Sequence, residues 1–481
     1  MRFLHKEDEN KELTYEDVFL IPQYSEIDSR MDVDITPPDG TGATIPITIA
    51  NMTSAAGRRM AETVTRRGGL VILTQDTPLE KIKDTVKYLK TRHPVFETPV
   101  TLEEEQSIQT ALNLIHKRSH GAIIVVDKDN KPVGIFTDDD AKGRDRFSNI
   151  GGVMTTDIIS ADESVTPREA FEKLHKSRVN VLPIINKSGE LLGVMTKKGA
   201  VRSELYKPAL NKKGEFVTAV AMNISGDVIK RAESLVEIGV DIIAIDTAHG
   251  HSRRMIDAVK AVRESVGKEM IIHAAQVATG EATEDLLNAG ANIVNIGIGS
   301  GGSCTTRVMT ATGRPQLSAV IECAKAAKKK GGHIWADGGI REPRNLALAM
   351  AAGASSTMIG TIFAGTHESP GDIQFDETGR EYKTSVGMAS TLAVNEKFRH
   401  LDPFDLEKKR YFREGTNEGR IYLSENYSGA EDIIDYLISG LRSAMSYAGA
   451  KDLKEFQEKA VAGVQTTAAF EEGNAVKKWQ Y

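Results

Sequence analysis

A cysteine at the end of a glycine-rich loop is the residue of this sequence best suited to covalent chemistry. The loop spans Gly297 to Arg307 and reads Gly-Ile-Gly-Ser-Gly-Gly-Ser-Cys-Thr-Thr-Arg, with the cysteine at position 304. Glycines let backbone groups approach a ligand closely because they have no Cβ. A cysteine held there is a strong nucleophile once its surroundings favour the thiolate. The alternative is a strand-to-helix turn in which Cys304 has no chemical role.

The elements that must position this loop are short apolar strands that alternate with helices. Helical segments such as Asp227–Ile238 and Pro343–Ala352 separate the strands, which predicts parallel βα units. The eight predicted strands are Ile45–Ala50, Leu70–Thr74, Val217–Met222, Ile242–Asp246, Met270–Ala274, Asn292–Ile296, His333–Ala336 and Ser356–Ile359. Eight such units favour an α/β fold, the closed (β/α)8 TIM barrel, whose chemistry lies at the C-terminal ends of the strands.

Length and composition limit the possible classes of protein. A chain of 481 residues exceeds one ordinary core, so at least two domains are expected. The net charge of −6 gives no basic surface for nucleic acid. The chain has two cysteines and no apolar run long enough to span a membrane. We therefore expect a cytoplasmic protein with neither a nucleic-acid partner nor a membrane partner.

An internal repeat interrupts the barrel pattern between Thr74 and Val217. Each copy has a helix, Ser107–Arg118 or Pro167–Ser177, followed by two apolar strands. The repeat resembles a tandem pair of CBS modules, which predicts a domain at 96–205 inserted into a barrel formed by 1–95 and 206–481. Such pairs commonly bind ATP or GTP as regulators, and the resemblance places nucleotide at Thr137, Asp140 and Thr196. Gly199 stands where the second copy usually has aspartate, and an insert without ligand is the alternative.

The barrel, the insert and the Cys304 loop together resemble the IMP dehydrogenase/GMP reductase family over nearly the whole chain. The shared motifs are Leu13-Thr14-Tyr15-Glu16-Asp17-Val18, Asp246-Thr247-Ala248-His249-Gly250-His251-Ser252, Ala336-Asp337-Gly338-Gly339-Ile340, Glu368-Ser369-Pro370-Gly371 and Gly387-Met388-Ala389-Ser390. Several positions depart from the family pattern, among them Gly302, which lacks a serine hydroxyl often used on phosphate, and Ser385 or Val386, which stands in place of an aromatic residue. Gln276 replaces an asparagine, and Asn295 replaces a residue that is usually basic.

The resemblance implies a role for each matching residue. Cys304 would attack C2 of a purine nucleotide, GMP or IMP, to form a thioimidate, while hydride passes between C2 and a nicotinamide cofactor. Thr306 and Glu368 would transfer the proton that lets ammonia leave. The expected substrate-binding residues are Met52, Gly302, Asp337, Gly339, Gly360, Thr361, Gly387, Met388 and Ala389. The expected cofactor residues are Asp246, Thr247, Ala248 and Gln276, and the carbonyls of Gly299, Gly301 and Cys304 would bind a monovalent cation such as K+.

Within the family, the segments Ala50–Met52 and Arg314–Ala324 resemble the reductases, and Ala50–Glu62 resembles the bacterial reductases that carry CBS modules. This implies NADPH-dependent conversion of GMP to IMP and ammonia in purine salvage, by a homotetramer or by an octamer joined through the insert. The first alternative is an IMP dehydrogenase that uses NAD. Arg410 and Tyr411, in a flap at about 395–425, resemble the pair that activates water in dehydrogenases. The second alternative is a purine-nucleotide sensor with weak catalysis, in which the CBS pair is the working part.

Overall fold

The chain folds around a closed barrel of eight parallel strands. The structure is a computed structural model that describes residues 1–302, 304–386, 402–411, 418–424 and 426–473. The barrel strands β1 to β8 are Ile47–Ile49, Leu70–Leu73, Ala219–Met222, Ile242–Asp246, Ile271–Val277, Ile293–Ile296, His333–Asp337 and Ser356–Ile359. Each strand pairs with the next, and β8 pairs with β1 to close the ring. All eight predicted strands are present, and the predicted TIM barrel is confirmed.

The strands are mostly apolar because both faces of the barrel wall are buried. Leu70 and Ile72 of β2 belong to the cluster inside the barrel that contains Trp335. Val71 and Leu73 of the same strand join the larger cluster between the strands and the helices. This alternation follows from the two-residue period of a strand.

Helices on the outside of the barrel connect successive strands. The barrel helices α1 to α8 are Arg58–Arg66, Leu79–Lys90, Val228–Ile238, Arg253–Val266, Gly280–Asn288, Gln316–Lys330, Pro343–Ala352 and Ala430–Tyr447. Local sequence sets their ends. Asp227 caps α3 by accepting a hydrogen bond from the Lys230 amide at 3.0 Å. Gly353 ends α7 in the left-handed conformation, with φ of +117°.

Some element boundaries differ from the predicted ones. Strand β5 continues beyond Ala274 because Val277 still pairs with Ile296. The first helix of the insert is Ile108–Ile115, shorter than predicted, since Ser107 serves as its N-cap and accepts from the Thr110 amide at 3.1 Å. Such differences are expected at element ends, where hydrogen bonding changes partner.

The insert between α2 and β3 consists of two similar units. The strands are Val100–Leu102, Ile123–Val126 and Pro132–Phe136 in the first unit, and Ala161–Asp162, Val181–Ile185 and Leu191–Thr196 in the second. Its helices are Ile108–Ile115, Asp138–Ala141, Ile150–Gly152, Pro167–Ser177 and Lys197–Leu205. In each unit the first strand runs parallel to the second, and the third runs antiparallel to it. The two units therefore repeat one topology, while the assignment to the CBS family and the domain limits stay predictions.

The remaining elements cover the ends of the barrel. The strands outside the barrel and the insert are Arg2–Phe3, Val18–Ile21, Gln374–Phe375, Glu381–Val386, Glu418–Tyr422 and Val461–Val464. The additional helices are Lys6–Asn10, Arg30–Asp32, Thr306–Thr310, Thr361–Ala364, Pro403–Tyr411, Leu453–Lys459 and Thr467–Glu472. Among the described residues, no helix has the length and apolar character that crossing a bilayer requires.

Candidate active site

The Cys304 loop leaves the C-terminal end of β6 and folds against the end of β7. A Cβ on Gly297 would lie 2.0 Å from the carbonyl oxygen of Asp337, so only glycine allows this approach. Ser300 then donates its hydroxyl to the same Asp337 carbonyl at 2.9 Å. These contacts hold the loop beside Asp337, as the sequence predicts for a site at the strand ends.

Cys304 is exposed, and its sulfur lies 3.3 Å from the Thr306 hydroxyl. The loop is tied locally, since the Cys304 amide donates to the Gly301 carbonyl at 3.0 Å. The second cysteine, Cys323, has a different environment on α6: burial raises the pKa of its thiol to about 12. Only the thiolate is an effective nucleophile, so Cys304 is the cysteine fitted to attack a ligand.

Asp337 is a partly buried carboxylate at the end of β7. Burial raises its pKa to about 7, and the nearby Asp246 adds to this rise. The Asn295 amide, which donates to Asp337 at 2.8 Å, opposes the rise. Among the described residues no cation pairs with Asp337. Its oxygens are therefore suited to accept hydrogen bonds from ligand hydroxyl groups.

Four of the residues predicted to bind substrate lie in contact pairs around this carboxylate. Gly302 faces Thr361, because a Cβ on the glycine would lie 3.7 Å from the threonine hydroxyl. Gly360 packs against Met52, whose sulfur would be 2.4 Å from a Cβ at that position. The Cys304 loop thus meets the segment after β8, which in turn meets the segment after β1. Successive backbone amides at turns of this kind suit an anion such as phosphate.

The residues predicted to bind cofactor follow β4 and β5. The Asp246 carboxylate accepts a hydrogen bond from the side-chain amide of Asn51 at 2.8 Å, which joins the end of β4 to the end of β1. The Thr247 amide donates to the Ala275 carbonyl at 3.2 Å, and the Gly250 amide donates to the Gln276 carbonyl at 2.7 Å. The segment after β4, including the exposed Ala248, is therefore folded onto the end of β5.

Comparison with known proteins agrees with this geometry. Residues 12–475 match the domain described as "IMP dehydrogenase / GMP reductase domain". The chain belongs to this family. It is 48% identical over 474 residues to the GMP reductase of Mycobacterium tuberculosis strain H37Rv, with 98% of each chain covered. It is 36% identical to the inosine-5′-monophosphate dehydrogenase of Aquifex aeolicus, covering 93% of this chain and 92% of the relative.

Solved structures of the family give the same result. A variant GMP reductase from Trypanosoma brucei in complex with guanosine 5′-monophosphate superposes with a TM-score of 0.68 at 31% identity. The match covers 97% of this chain and 98% of the other. The chain is thus an oxidoreductase of the IMP dehydrogenase/GMP reductase family, as the motifs around Cys304 predicted.

Glu368 has contacts that differ from its expected role beside Thr306. It is buried, and its two carboxylate oxygens accept the backbone amides of Ser119 and Ala430 at 3.2 and 2.9 Å. Among the described residues none of its hydrogen bonds is with Cys304 or Thr306. These contacts are those of a buried cap at the start of α8. The expected proton-transfer role stays a prediction.

Several expected site residues lie outside the described parts of the chain. Gly387, Met388 and Ala389 are among them, as is much of the predicted flap. Arg410 and Tyr411 end the helix Pro403–Tyr411, of which the backbone alone is described at these two positions. The nucleotide residues predicted in the insert are described and are treated below.

The site also contains residues that sequence reasoning missed. Asn51 and Asn295 each donate to an aspartate of the site, Asp246 and Asp337 respectively. Tyr15 packs beneath Gly339, where a Cβ would lie 3.2 Å from its ring. The departure of Asn295 from the family pattern was visible in the sequence. The hydrogen bond from Asn295 to Asp337 was not visible there, because the two residues lie on different strands.

Proposed function

We propose that this chain is a GMP reductase, which converts GMP and NADPH into IMP, ammonia and NADP+. The observation that carries the proposal is the exposed Cys304 sulfur, 3.3 Å from the Thr306 hydroxyl and on a loop packed against Asp337. The GMP reductase from M. tuberculosis, 48% identical over nearly the full chain, supports this branch of the family.

The proposed reaction uses the residues of the barrel mouth. The Cys304 thiolate bonds to C2 of GMP, and the C2 amino group leaves as ammonia after it is protonated, which gives a thioimidate. Thr306, whose hydroxyl lies 3.3 Å from the Cys304 sulfur, relays the proton that the thiol gives up to the leaving amine, since an unprotonated amine is a poor leaving group. Asp337 accepts the ribose hydroxyls, and the amides of Gly339, Gly360 and Thr361 bind the phosphate. Gly302 and Met52 complete the substrate contacts, together with Gly387, Met388 and Ala389.

We propose that a nicotinamide cofactor lies at the ends of β4 and β5. A polar cavity of about 220 Å³ opens at the neighbouring ends of β2 and β3, lined by Gln75 and Arg231 among others. The Gln75 side-chain oxygen is buried beside this cavity and has no hydrogen-bond partner among the described residues. Asp246, Thr247, Ala248 and Gln276 would hold the cofactor. When bound, NADPH would supply the hydride that C2 receives, and the bond between C2 and the Cys304 sulfur would break, which releases IMP and the Cys304 thiolate.

A monovalent cation, K+ in our proposal, would bind the carbonyls of Gly299, Gly301 and Cys304. Gly299 has φ of +73°, which turns the loop at this point. The cation would hold the loop open around the sulfur. The insert would bind ATP or GTP, and the assembly would be a homotetramer or an octamer joined through the insert.

IMP dehydrogenase is the second candidate, because relatives of that name are 36% identical over most of the chain. Arg410 and Tyr411 would then activate water. The test is absorbance of the reduced nicotinamide in two cuvettes, one with GMP and NADPH and one with IMP, NAD+ and K+. Loss of signal in the first alone establishes the reductase. A rise in the second alone establishes the dehydrogenase, and no change in either would leave the nucleotide-sensing role of the insert as the remaining candidate.

A further inference from the structure

The two units of the insert differ at the turn that follows the third strand of each unit. We call these turns the Thr137 end and the Thr196 end. Each unit has a threonine before a helical turn, Thr137 in the first and Thr196 in the second. In the first unit Asp140 accepts from both the amide and the hydroxyl of Thr137, at 2.7 and 2.9 Å. In the second unit the corresponding residue is Gly199, which has no side chain to offer.

Glu97 fills the space of the missing carboxylate. A Cβ on Gly199 would lie 2.3 Å from a Glu97 carboxylate oxygen, so an aspartate cannot occupy this position beside it. The Thr196 hydroxyl donates to the other oxygen of Glu97 at 3.4 Å. A carboxylate thus faces the threonine in both units, but in the second it comes from a distant part of the chain.

Both oxygens of the Glu97 carboxylate already have partners within the protein. It is 4% exposed, and it pairs with Arg67 at 2.6 Å and with His120 at 3.3 Å. Burial disfavours the charged form, but the contacts with His120 and Arg67 outweigh it and lower the pKa of Glu97 to about 2. With Thr196, three partners already share the roughly four acceptor sites of this carboxylate, which leaves too few for the two hydroxyls of a ribose.

The corresponding end of the first unit is open. Ile135 bridges to Thr155 there, as Val194 bridges to Glu97 in the second unit. Thr155 therefore stands in the place of Glu97, and it is short and exposed. Asp140 is only partly buried, and neither oxygen forms an ion pair among the described residues.

We propose that Glu97 permanently occupies the Thr196 end, so that each chain binds a single purine nucleoside triphosphate, at the Thr137 end. The Thr196 end instead anchors the insert to the barrel, since Arg67 also binds Glu431 of α8 at 2.5 Å. This inference rests on the proposed nucleotide binding by the insert and adds its stoichiometry and location.

The test is calorimetric titration of the full-length protein with ATP and, separately, with GTP. Saturating GMP is present so that the barrel mouth is filled. We expect one nucleotide per chain. The Asp140→Asn variant should weaken binding by about tenfold or more, because it removes a charged acceptor of the ribose. The matched control in the other unit, Thr196→Ala, should leave stoichiometry and affinity within about twofold of the wild type.

Two nucleotides per chain, or loss of binding in Thr196→Ala alone, would overturn the single-site inference while leaving nucleotide binding by the insert intact. Absence of binding to the wild type would overturn both. Neither result bears on GMP reduction, which is measured separately.

A double variant, Glu97→Thr with Gly199→Asp, gives the second end the residues of the first. With folding verified by thermal unfolding, a rise to two nucleotides per chain is expected. An unchanged stoichiometry in the folded variant would contradict the assignment of Glu97 as the occupant.

Discussion

Carboxylates in two regions of this molecule meet opposite electrostatic surroundings. At the barrel mouth, burial raises the pKa of Asp337 to about 7, and among the described residues only the neutral side-chain amide of Asn295 opposes this. At the junction between insert and barrel, burial also penalises Glu97, yet His120 and Arg67 lower its pKa to about 2. Both carboxylates are removed from water, which by itself raises a carboxylate pKa. Among the described residues Glu97 has a cationic partner and Asp337 has none, and this difference sets the direction of each pKa shift.

This difference in surroundings distinguishes a carboxylate that stabilises the fold from one that is available to a ligand. Glu97, like Glu62 with Arg66 and Arg118, is a carboxylate whose hydrogen-bonding capacity is used within the protein. Asp337 keeps its capacity for a ligand, beside a thiol that is exposed. Removing a group at the mouth should therefore impair catalysis and spare folding, and removing one at the junction should do the reverse.

The largest effect is expected for Cys304→Ala, which removes the proposed nucleophile. Turnover of GMP should fall at least about a thousandfold, as when a covalent nucleophile is lost in other enzymes. The thermal unfolding temperature should stay unchanged because the side chain is exposed. Steady-state kinetics and calorimetry measure both. Cys323→Ala is the matched control and should retain turnover, and a Cys304→Ala protein with normal activity would refute the covalent mechanism.

For Arg67→Met, at the junction between insert and barrel, we expect lower stability with turnover retained. This substitution leaves Glu97 and Glu431 buried without their shared guanidinium, which typically costs about 3–5 kcal/mol of unfolding free energy. Urea unfolding measures the change, and turnover per folded chain should be retained. As a control, Arg168→Met breaks the exposed pair with Glu172 and should cost less than about 1 kcal/mol. Equal stability of the two variants would contradict the assignment.

An intermediate effect is expected for Asp337→Asn at the mouth. The amide cannot replace a charged acceptor for two ribose hydroxyls, so the KM for GMP should rise about tenfold to a hundredfold. The KM for NADPH should stay within about twofold. An unchanged KM for GMP would remove Asp337 from the substrate site.

The pH dependence of GMP binding sharpens the comparison further. Because the raised pKa of Asp337 is about 7, the ionised acceptor is present above this pH and is lost as the pH falls through it. The KM for GMP should therefore rise below pH 7, by up to about tenfold per unit. Asn295→Leu removes the hydrogen bond that lowers this pKa, so it should move the rise to higher pH. A pH-independent KM in both proteins would contradict the role of Asp337.

The smallest effect is expected for Glu368→Gln. For this residue the family motif implies proton transfer, whereas the contacts are those of a helix cap. If Glu368 is a cap, the variant loses about 1–3 kcal/mol of stability, since one backbone amide loses its acceptor. Turnover should then change only a fewfold. A loss of turnover of about a hundredfold at unchanged stability would instead establish the proton-transfer role that the family motif implies.

The sequence was sufficient for the barrel because its signal is local. Eight apolar runs and the glycine loop before Cys304 follow from short-range periodicity and turn chemistry. The junction was not predictable, because Arg67 pairs with Glu431 across 364 positions and no local pattern records such a contact. The Gly199 departure signalled a changed second end, but only the fold showed that Glu97 fills it.

The most direct test of the central claim uses GMP labelled with ¹⁵N at the 2-amino group, together with NADPH. We expect one labelled ammonia for each NADPH oxidised by the wild type, and none from Cys304→Ala. Oxidation of NADPH without labelled ammonia, or labelled ammonia from the alanine variant, would contradict it.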